Sequence, residues 1–213
     1  MDTALSNFLF DFDGTLADSL SAIVLITNRL APEFGFRPTP LAEVEALKGL
    51  TARQLIRYSG IPLLKIPALL RRVRAELSQQ GGHITPCPGV IEVIRTLYAQ
   101  HHTLAVVTSN SPATVEAFLA AHDLTHCFLS VDGGGTLFRK GKLIMRCLEK
   151  HQLVPRETVY VGDEIRDIDA AQFAGVRPVS VTWGFNSRPL LMKMSPDWLI
   201  DDPELLLAIA DQL

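Results

Sequence analysis

Several features are scarce in this chain, and each scarcity narrows the field. No run approaches the roughly 20 consecutive apolar residues that span a bilayer, and the first apolar stretch, Phe8 to Phe10, is cut at once by Asp11. No signal-peptide pattern is visible, so a cytoplasmic location is expected. Cysteine is sparse: Cys87, Cys127 and Cys147 are three, widely spaced and without CxxC spacing, which argues against a disulfide framework or a Cys-based zinc site and for reduced thiols. Charge of one sign is also lacking, with 20 Lys+Arg against 23 Asp+Glu and a net charge of −3. No polyanion-binding surface is implied, and nucleic acid is not an expected partner. The histidines, His83, His101 and His102 among them, show no ligand spacing. Internal repeats and low-complexity tracts are missing.

What remains is a chain with 47% hydrophobic residues, enough for a sizeable core. Between about residues 18 and 77 strand signals are absent and helical ones dominate: Leu20, Ile23, Val24, Ile26 and Thr27 fall on a helical period, as do Leu41–Leu47 and Leu69–Leu77. Gly81-Gly82 and Pro86-Cys-Pro-Gly89 then punctuate the chain. Beyond Val90 short β-branched runs alternate with helices. Strands are expected at Leu104–Val107, Val159–Val161 and Pro178–Thr182, with weaker ones at Phe128–Val131 and Trp198–Ile200. Helices are expected at Pro88–Gln100, Pro112–His122, Leu143–His151 and Ile168–Ala174. This alternation builds βαβ units and a parallel sheet covered on both faces. The expected fold is α/β: a Rossmann-like, doubly wound parallel-sheet core of residues 1–16 and 83–213, interrupted by a helical insertion at 17–82.

The most telling run is Phe8-Leu-Phe-Asp-Phe-Asp-Gly-Thr-Leu16, where a buried strand delivers Asp11 and Asp13 to a turn. Two carboxylates this close repel, so the arrangement persists when a cation shares the site or one carboxyl holds a proton. In an open parallel sheet the ligand site lies beyond the carboxyl ends of the strands. The polar residues just after each strand are Asp11, Asp13, Gly14 and Thr15, then Thr108, Ser109 and Asn110, then Gly162, Asp163, Glu164 and Asp167. Lys140 and Lys142, in the connection before the fourth strand, can add positive charge.

Taken in order, these runs resemble the haloacid dehalogenase-like hydrolase superfamily, and within it phosphatases of the phosphoglycolate phosphatase type. Asp11-Phe-Asp-Gly-Thr15 is similar to the first motif, Thr108 to the second, Lys140 or Lys142 to the third, and Gly162-Asp-Glu-Ile-Arg-Asp167 to the fourth. Val181-Thr-Trp-Gly-Phe-Asn186 and Pro196-Asp-Trp-Leu-Ile200 also resemble that group. The helical insertion matches the superfamily's cap.

The resemblance implies a phosphatase acting on a small phosphorylated metabolite, with Mg2+ as cofactor and no membrane partner; it leaves monomer or dimer open. Asp11 is then the nucleophile that forms an aspartyl-phosphate. A phosphate dianion repels that carboxylate unless positive charge neutralises the approach, and Mg2+ with its preference for oxygen ligands suits the role. Asp11 and Asp163 are expected to hold the ion by side chains, Asp13 by its backbone carbonyl, and Asp167 to orient its water. The Asp13 side chain exchanges a proton with the leaving group and the hydrolytic water. Thr108 and a lysine, Lys140 preferred for its spacing from the next helix, answer the phosphoryl charge. Gly14, Thr15, Ser109, Asn110 and Lys48 are expected to bind phosphate or substrate. Lys140-Gly-Lys142 departs from the Lys-Pro pattern common in the superfamily.

Selectivity is expected in cap residues such as Lys48, Arg53 and Arg57, although Arg53 and Arg57 also suit a solvated helix face. Other readings are a dehalogenase, disfavoured because Asp13 is present, and a phosphomutase, suggested by Lys48-Gly49 but opposed by Ala52. A non-catalytic regulatory module is opposed by retention of both Asp11 and Asp13.

Overall fold

The computed structural model describes residues 6–79, 84–134 and 140–212. Its frame is a six-stranded, wholly parallel sheet in the order β3-β2-β1-β4-β5-β6. The strands are β1 (Asn7–Phe10), β2 (Thr103–Val107), β3 (Ser130–Asp132), β4 (Thr158–Gly162), β5 (Arg177–Val181) and β6 (Trp198–Ile200). Among the described residues ten α-helices accompany them. Between β1 and β2 lie α1 (Leu20–Phe34), α2 (Val44–Leu47), α3 (Ala52–Ser59), α4 (Ile66–Ser78) and α5 (Val90–Ala99). The rest alternate with strands: α6 (Pro112–Ala121), α7 (Lys140–His151), α8 (Ile165–Ala174), α9 (Arg188–Met192) and α10 (Leu205–Ala210).

The two faces of the sheet follow the period-two alternation of β1. Phe8 and Phe10 enter an apolar cluster with Val106, Val161 and Val181, which runs on into α1, α4, α5 and α6. Leu9 points the other way, into a cluster with Ala105, Val107 and Tyr160 closed by α7 and α8. Side chains as fully buried as Phe8, Leu9 and Phe10 each stabilise the fold by roughly 1.5–3 kcal/mol relative to exposure. The three cysteines are buried and free. Among the described residues no helix is long and apolar enough to cross a membrane.

Helices replace strands throughout Leu20–Ser78, as the hydrophobic period requires, but Leu41–Leu47 forms a 3-10 turn and a single α-turn rather than one helix. The third strand pairs through Ser130–Asp132 instead of Phe128–Val131. Phe128 is apolar because it packs edge-on against Phe10, not because it pairs. Lys140 is the first described residue of α7, so that lysine belongs to the helix rather than to a connection. The expected boundary at 82/83, with Gly81, Gly82 and His83, falls outside the described residues.

Candidate active site

The sheet order reverses between β1 and β4, and there the first carboxylates emerge. Phe10 is in register with Val106 on one side and Val161 on the other. The ladder continues one residue further, Asp11 N–H donating to Val161 O at 2.9 Å and Thr108 N–H to Asp132 O at 3.0 Å. Asp11, Thr108 and Asp163 therefore leave neighbouring strands at almost the same level, at the switch point where parallel α/β sheets bind ligands.

Lys140 ties this face together. Its Nζ donates to Asp11 Oδ2 at 2.5 Å and to Asp167 Oδ1 at 2.5 Å, with all three side chains 2% exposed. α7 delivers it by crossing α8 at close range: a Cβ at Gly141 would stand 2.7 Å from Phe173 Cδ1 and 3.2 Å from Ala170 O. A proline after the lysine would meet the same obstruction, which accounts for Gly141. Lys142 is exposed. Asp167 is at the third position of α8, where its Oδ2 accepts from Glu164 N–H at 3.0 Å in a capping box.

Asp163 is fully buried and gripped by two loops. Thr15 Oγ1 donates to Oδ1 at 3.0 Å, and Phe185 N–H donates to Oδ2 at 2.6 Å. Trp183 Nε1–H in turn donates to Thr15 O at 3.1 Å. Gly14, at φ 75°, lies so close that a Cβ there would run into Asp163 Oδ2 and the Phe185 ring. Asp13 Oδ2 accepts from Asn110 Nδ2 at 2.9 Å, and Asn110 N–H contacts Thr108 Oγ1 at 3.2 Å. Among the described residues, two carboxylate oxygens remain buried without a hydrogen-bond partner, Asp11 Oδ1 and Asp13 Oδ1. Both belong to the Asp-Phe-Asp pair.

The electrostatics separate the two. Burial pushes the Asp11 carboxyl up, but the Lys140 and Arg166 charges outweigh it and hold it below the ordinary value. Burial and the neighbouring Asp11 charge raise Asp13, against the opposing pull of Ser19 and Asn110. Burial and surrounding carboxylates lift Asp163 well above its usual range, and burial lifts Asp167 to about 6 despite Lys140. Lys140 is desolvated, yet Asp11 and Asp167 hold its ammonium charged.

Carboxylate oxygens of Asp11, Asp163 and Asp167 lie within 4.8 Å of one another. That hard-oxygen set, with an unpartnered Asp11 oxygen beside it, fits a divalent cation such as Mg2+. Of the other expected residues, Thr108 is fully buried and Ser109 half-buried at the end of β2. Thr15 and Asn110 commit their side chains to Asp163 and Asp13, so they position carboxylates. Lys48 pairs with Glu45 at 3.2 Å, and its carbonyl accepts from Ser187 N–H at 2.9 Å, one residue past Asn186. Arg53 and Arg57 are exposed.

Three further residues were not singled out from the sequence. Arg166, inside the fourth motif, pairs with Glu164 and brings a second cation to the carboxylates. Ser19 is fully buried next to Asp13. Arg74 on α4 is half-buried, and burial and the Arg166 charge pull its guanidinium below the ordinary value against the opposing effect of Asp13. Arg166 alone carried a signal, a basic residue between Asp163 and Asp167.

The sequence pattern of the family "Haloacid dehalogenase-like hydrolase" matches residues 8–181. In sequence the chain is 36% identical over 205 residues to the phosphoglycolate phosphatase of Synechococcus elongatus, covering 96% of this chain and 97% of that one. The crystal structure of a predicted phosphoglycolate phosphatase from Haemophilus somnus is similar at TM-score 0.77 and 26% identity, covering 96% and 97% of the two chains. That of a predicted phosphatase from Clostridium acetobutylicum is similar at TM-score 0.83 and 21% identity, covering 99% and 100%. With the motif residues gathered at one sheet switch point and the match running from β1 through β5, the chain belongs to the haloacid dehalogenase-like hydrolase family.

Proposed function

We propose that this protein is a Mg2+-dependent phosphatase that hydrolyses a small phosphate monoester of the phosphoglycolate kind through an aspartyl-phosphate at Asp11. The observation that carries this reading is the state of Asp11: one oxygen held by Lys140, the other buried and unpartnered. A carboxylate kept ionised and oriented, with one free oxygen, is equipped to attack.

In the first step Asp11 Oδ1 forms a bond to phosphorus as the ester P–O bond breaks. The departing oxygen takes its proton from Asp13, whose raised pKa suits an acid. In the second step Asp13 removes a proton from water, which attacks phosphorus, releases phosphate and restores Asp11. Lys140 and the hydroxyl of Thr108 stabilise charge on the phosphoryl oxygens. Asp11, Asp163 and Asp167, with the Asp13 carbonyl, would hold Mg2+, which supplies the positive charge that lets two anions meet. The helices within 17–82 serve as a cap over the core formed by 1–16 and 83–213. The substrate class rests on relatives that carry the name phosphoglycolate phosphatase.

Phosphate release from an aryl phosphate tests the reading. It is expected to require Mg2+ and to vanish in Asp11→Asn; unchanged turnover in that variant would remove Asp11 from the chemistry.

A further inference from the structure

Three side chains that the hydrolytic chemistry leaves aside meet where β3 ends beside α7. Cys147 and His151 are four residues apart and share one face of α7, and Asp132 is the last residue of β3. The Cys147 thiol, the His151 imidazole and the Asp132 carboxylate each bring a ligand atom within 4.8 Å of the other two. His151 Nε2 stands 3.9 Å from Asp132 Oδ2, too far for a hydrogen bond. Linear spacing hides the set, because the carboxylate comes from a strand and the other two ligands from the helix after it.

Packing alone does not account for this arrangement. Cys147 is fully buried among Ala105, Val107, Ile144 and Leu148, as a core thiol commonly is. A core thiol has no need of an imidazole and a carboxylate at its side. Among the described residues His151 Nε2 is a buried atom without a hydrogen-bond partner, although buried polar atoms are ordinarily satisfied. Asp132 is only partly compensated. Lys150 Nζ, on a side chain 57% exposed, reaches Oδ1 at 3.1 Å, and Ser130 Oγ donates to Oδ2 at 2.7 Å. A carboxylate oxygen has two lone pairs, so Oδ2 can still take a further partner.

We propose that Asp132, Cys147 and His151 form a second metal site, for a borderline-soft divalent ion of the Zn2+ class, with solvent as the fourth ligand. A thiolate and an imidazole select such an ion over Mg2+, which takes oxygen ligands. On binding, the sulfur–metal bond forms as the thiol proton passes to solvent. The site is distinct from the Asp11, Asp163 and Asp167 cluster: Lys140 and His151 are at opposite ends of the twelve-residue α7, about 16 Å apart along its axis. Coordination staples the end of β3 to the end of α7. Asp132 O accepts from Thr108 N–H at 3.0 Å, so the staple borders the strand that carries Thr108.

Cobalt(II) is the probe, because it adopts the same four-coordinate geometry and absorbs light. The reduced protein is titrated with Co2+ in millimolar Mg2+, which occupies hard-oxygen sites. One equivalent is expected to raise a thiolate-to-cobalt charge-transfer band in the near ultraviolet, with the visible bands of four-coordination, and Zn2+ should abolish both. Asp132→Asn and His151→Gln change half-buried positions, and circular dichroism checks their folding. Each should raise the Co2+ dissociation constant by about a hundredfold or more, since losing even a hydrogen-bond partner of a metal ligand costs roughly 10- to 100-fold. Cys147→Ser should lose the charge-transfer band. Absence of a thiolate band in wild type overturns the site. So does full Co2+ affinity in folded His151→Gln, or a band that survives Cys147→Ser and follows Cys87 or Cys127 instead.

Discussion

Lys140 Nζ lies 2.5 Å from Asp11 Oδ2, joining residues 129 positions apart in a contact that is 2% exposed on both sides. The same ammonium holds Asp167. One cation therefore compensates two buried carboxylates, and its removal has consequences for stability as well as chemistry.

Lys140→Met leaves Asp11 and Asp167 buried without their counter-charge. Breaking a buried pair from one side costs about 3–5 kcal/mol, and losing a charge from the phosphoryl site costs about 100- to 1000-fold in kcat. Denaturant unfolding and steady-state kinetics check the two effects; Lys142→Met, at an exposed position, should show neither.

The carboxylates at the end of β4 make stability depend on pH in the metal-free protein. Burial raises Asp163 well above its ordinary value and Asp167 to about 6, so the folded state binds protons that the unfolded chain, with carboxyls near 3.8, has released. Their contribution is complete below the unfolded value and is lost as pH rises through the folded one. Asp11, with its lowered pKa, acts in the opposite sense and loses its contribution as pH falls. Lys140 stays charged across this range and adds no slope. Measured in chelator, the thermal midpoint of wild type should fall relative to that of Asp167→Asn as pH rises from 3.8 through about 6, and millimolar Mg2+ should shrink the difference. A wild-type midpoint that gains on the variant over this range would contradict the assignment.

Gly14 and Gly175 share a left-handed backbone, φ 75° and 73°, but differ in space. A Cβ at Gly175 meets nothing within 4 Å, while one at Gly14 strikes Asp163 and Phe185. Both alanine variants pay roughly 1–2 kcal/mol for the conformation. Gly14→Ala should lose more than Gly175→Ala in unfolding free energy and should alone weaken Mg2+ binding, because it displaces Asp163.

Asp13→Asn removes the proton donor and is expected to lower kcat by roughly 100- to 10,000-fold on an alkyl phosphate. An aryl phosphate, whose leaving group departs unprotonated, should lose much less in the first step. Equal losses for both esters would exclude the acid role.

The residues that read most clearly in the sequence are those fixed by strand ends. Asp11, Thr108 and Asp163 follow apolar runs directly, and the ladder leaves them side by side. Lys140 was legible as a lysine near the site, but its helix start was not, because the close passage that Gly141 permits depends on α8, some thirty residues later. β3 starts two residues and ends one residue later than expected, because Phe128 has the composition of a strand and the environment of a core aromatic. Asn110 on Asp13 and Thr15 on Asp163 bridge 97 and 148 positions, contacts no local pattern announces.

Trapping the covalent intermediate tests the central claim most directly. Borohydride added during turnover reduces an aspartyl-phosphate to homoserine, and peptide mass spectrometry locates the change. The account predicts reduction at Asp11 alone, dependent on substrate and abolished by Asp11→Asn. Reduction at another carboxylate, or none at Asp11 while phosphate is being released, would contradict it.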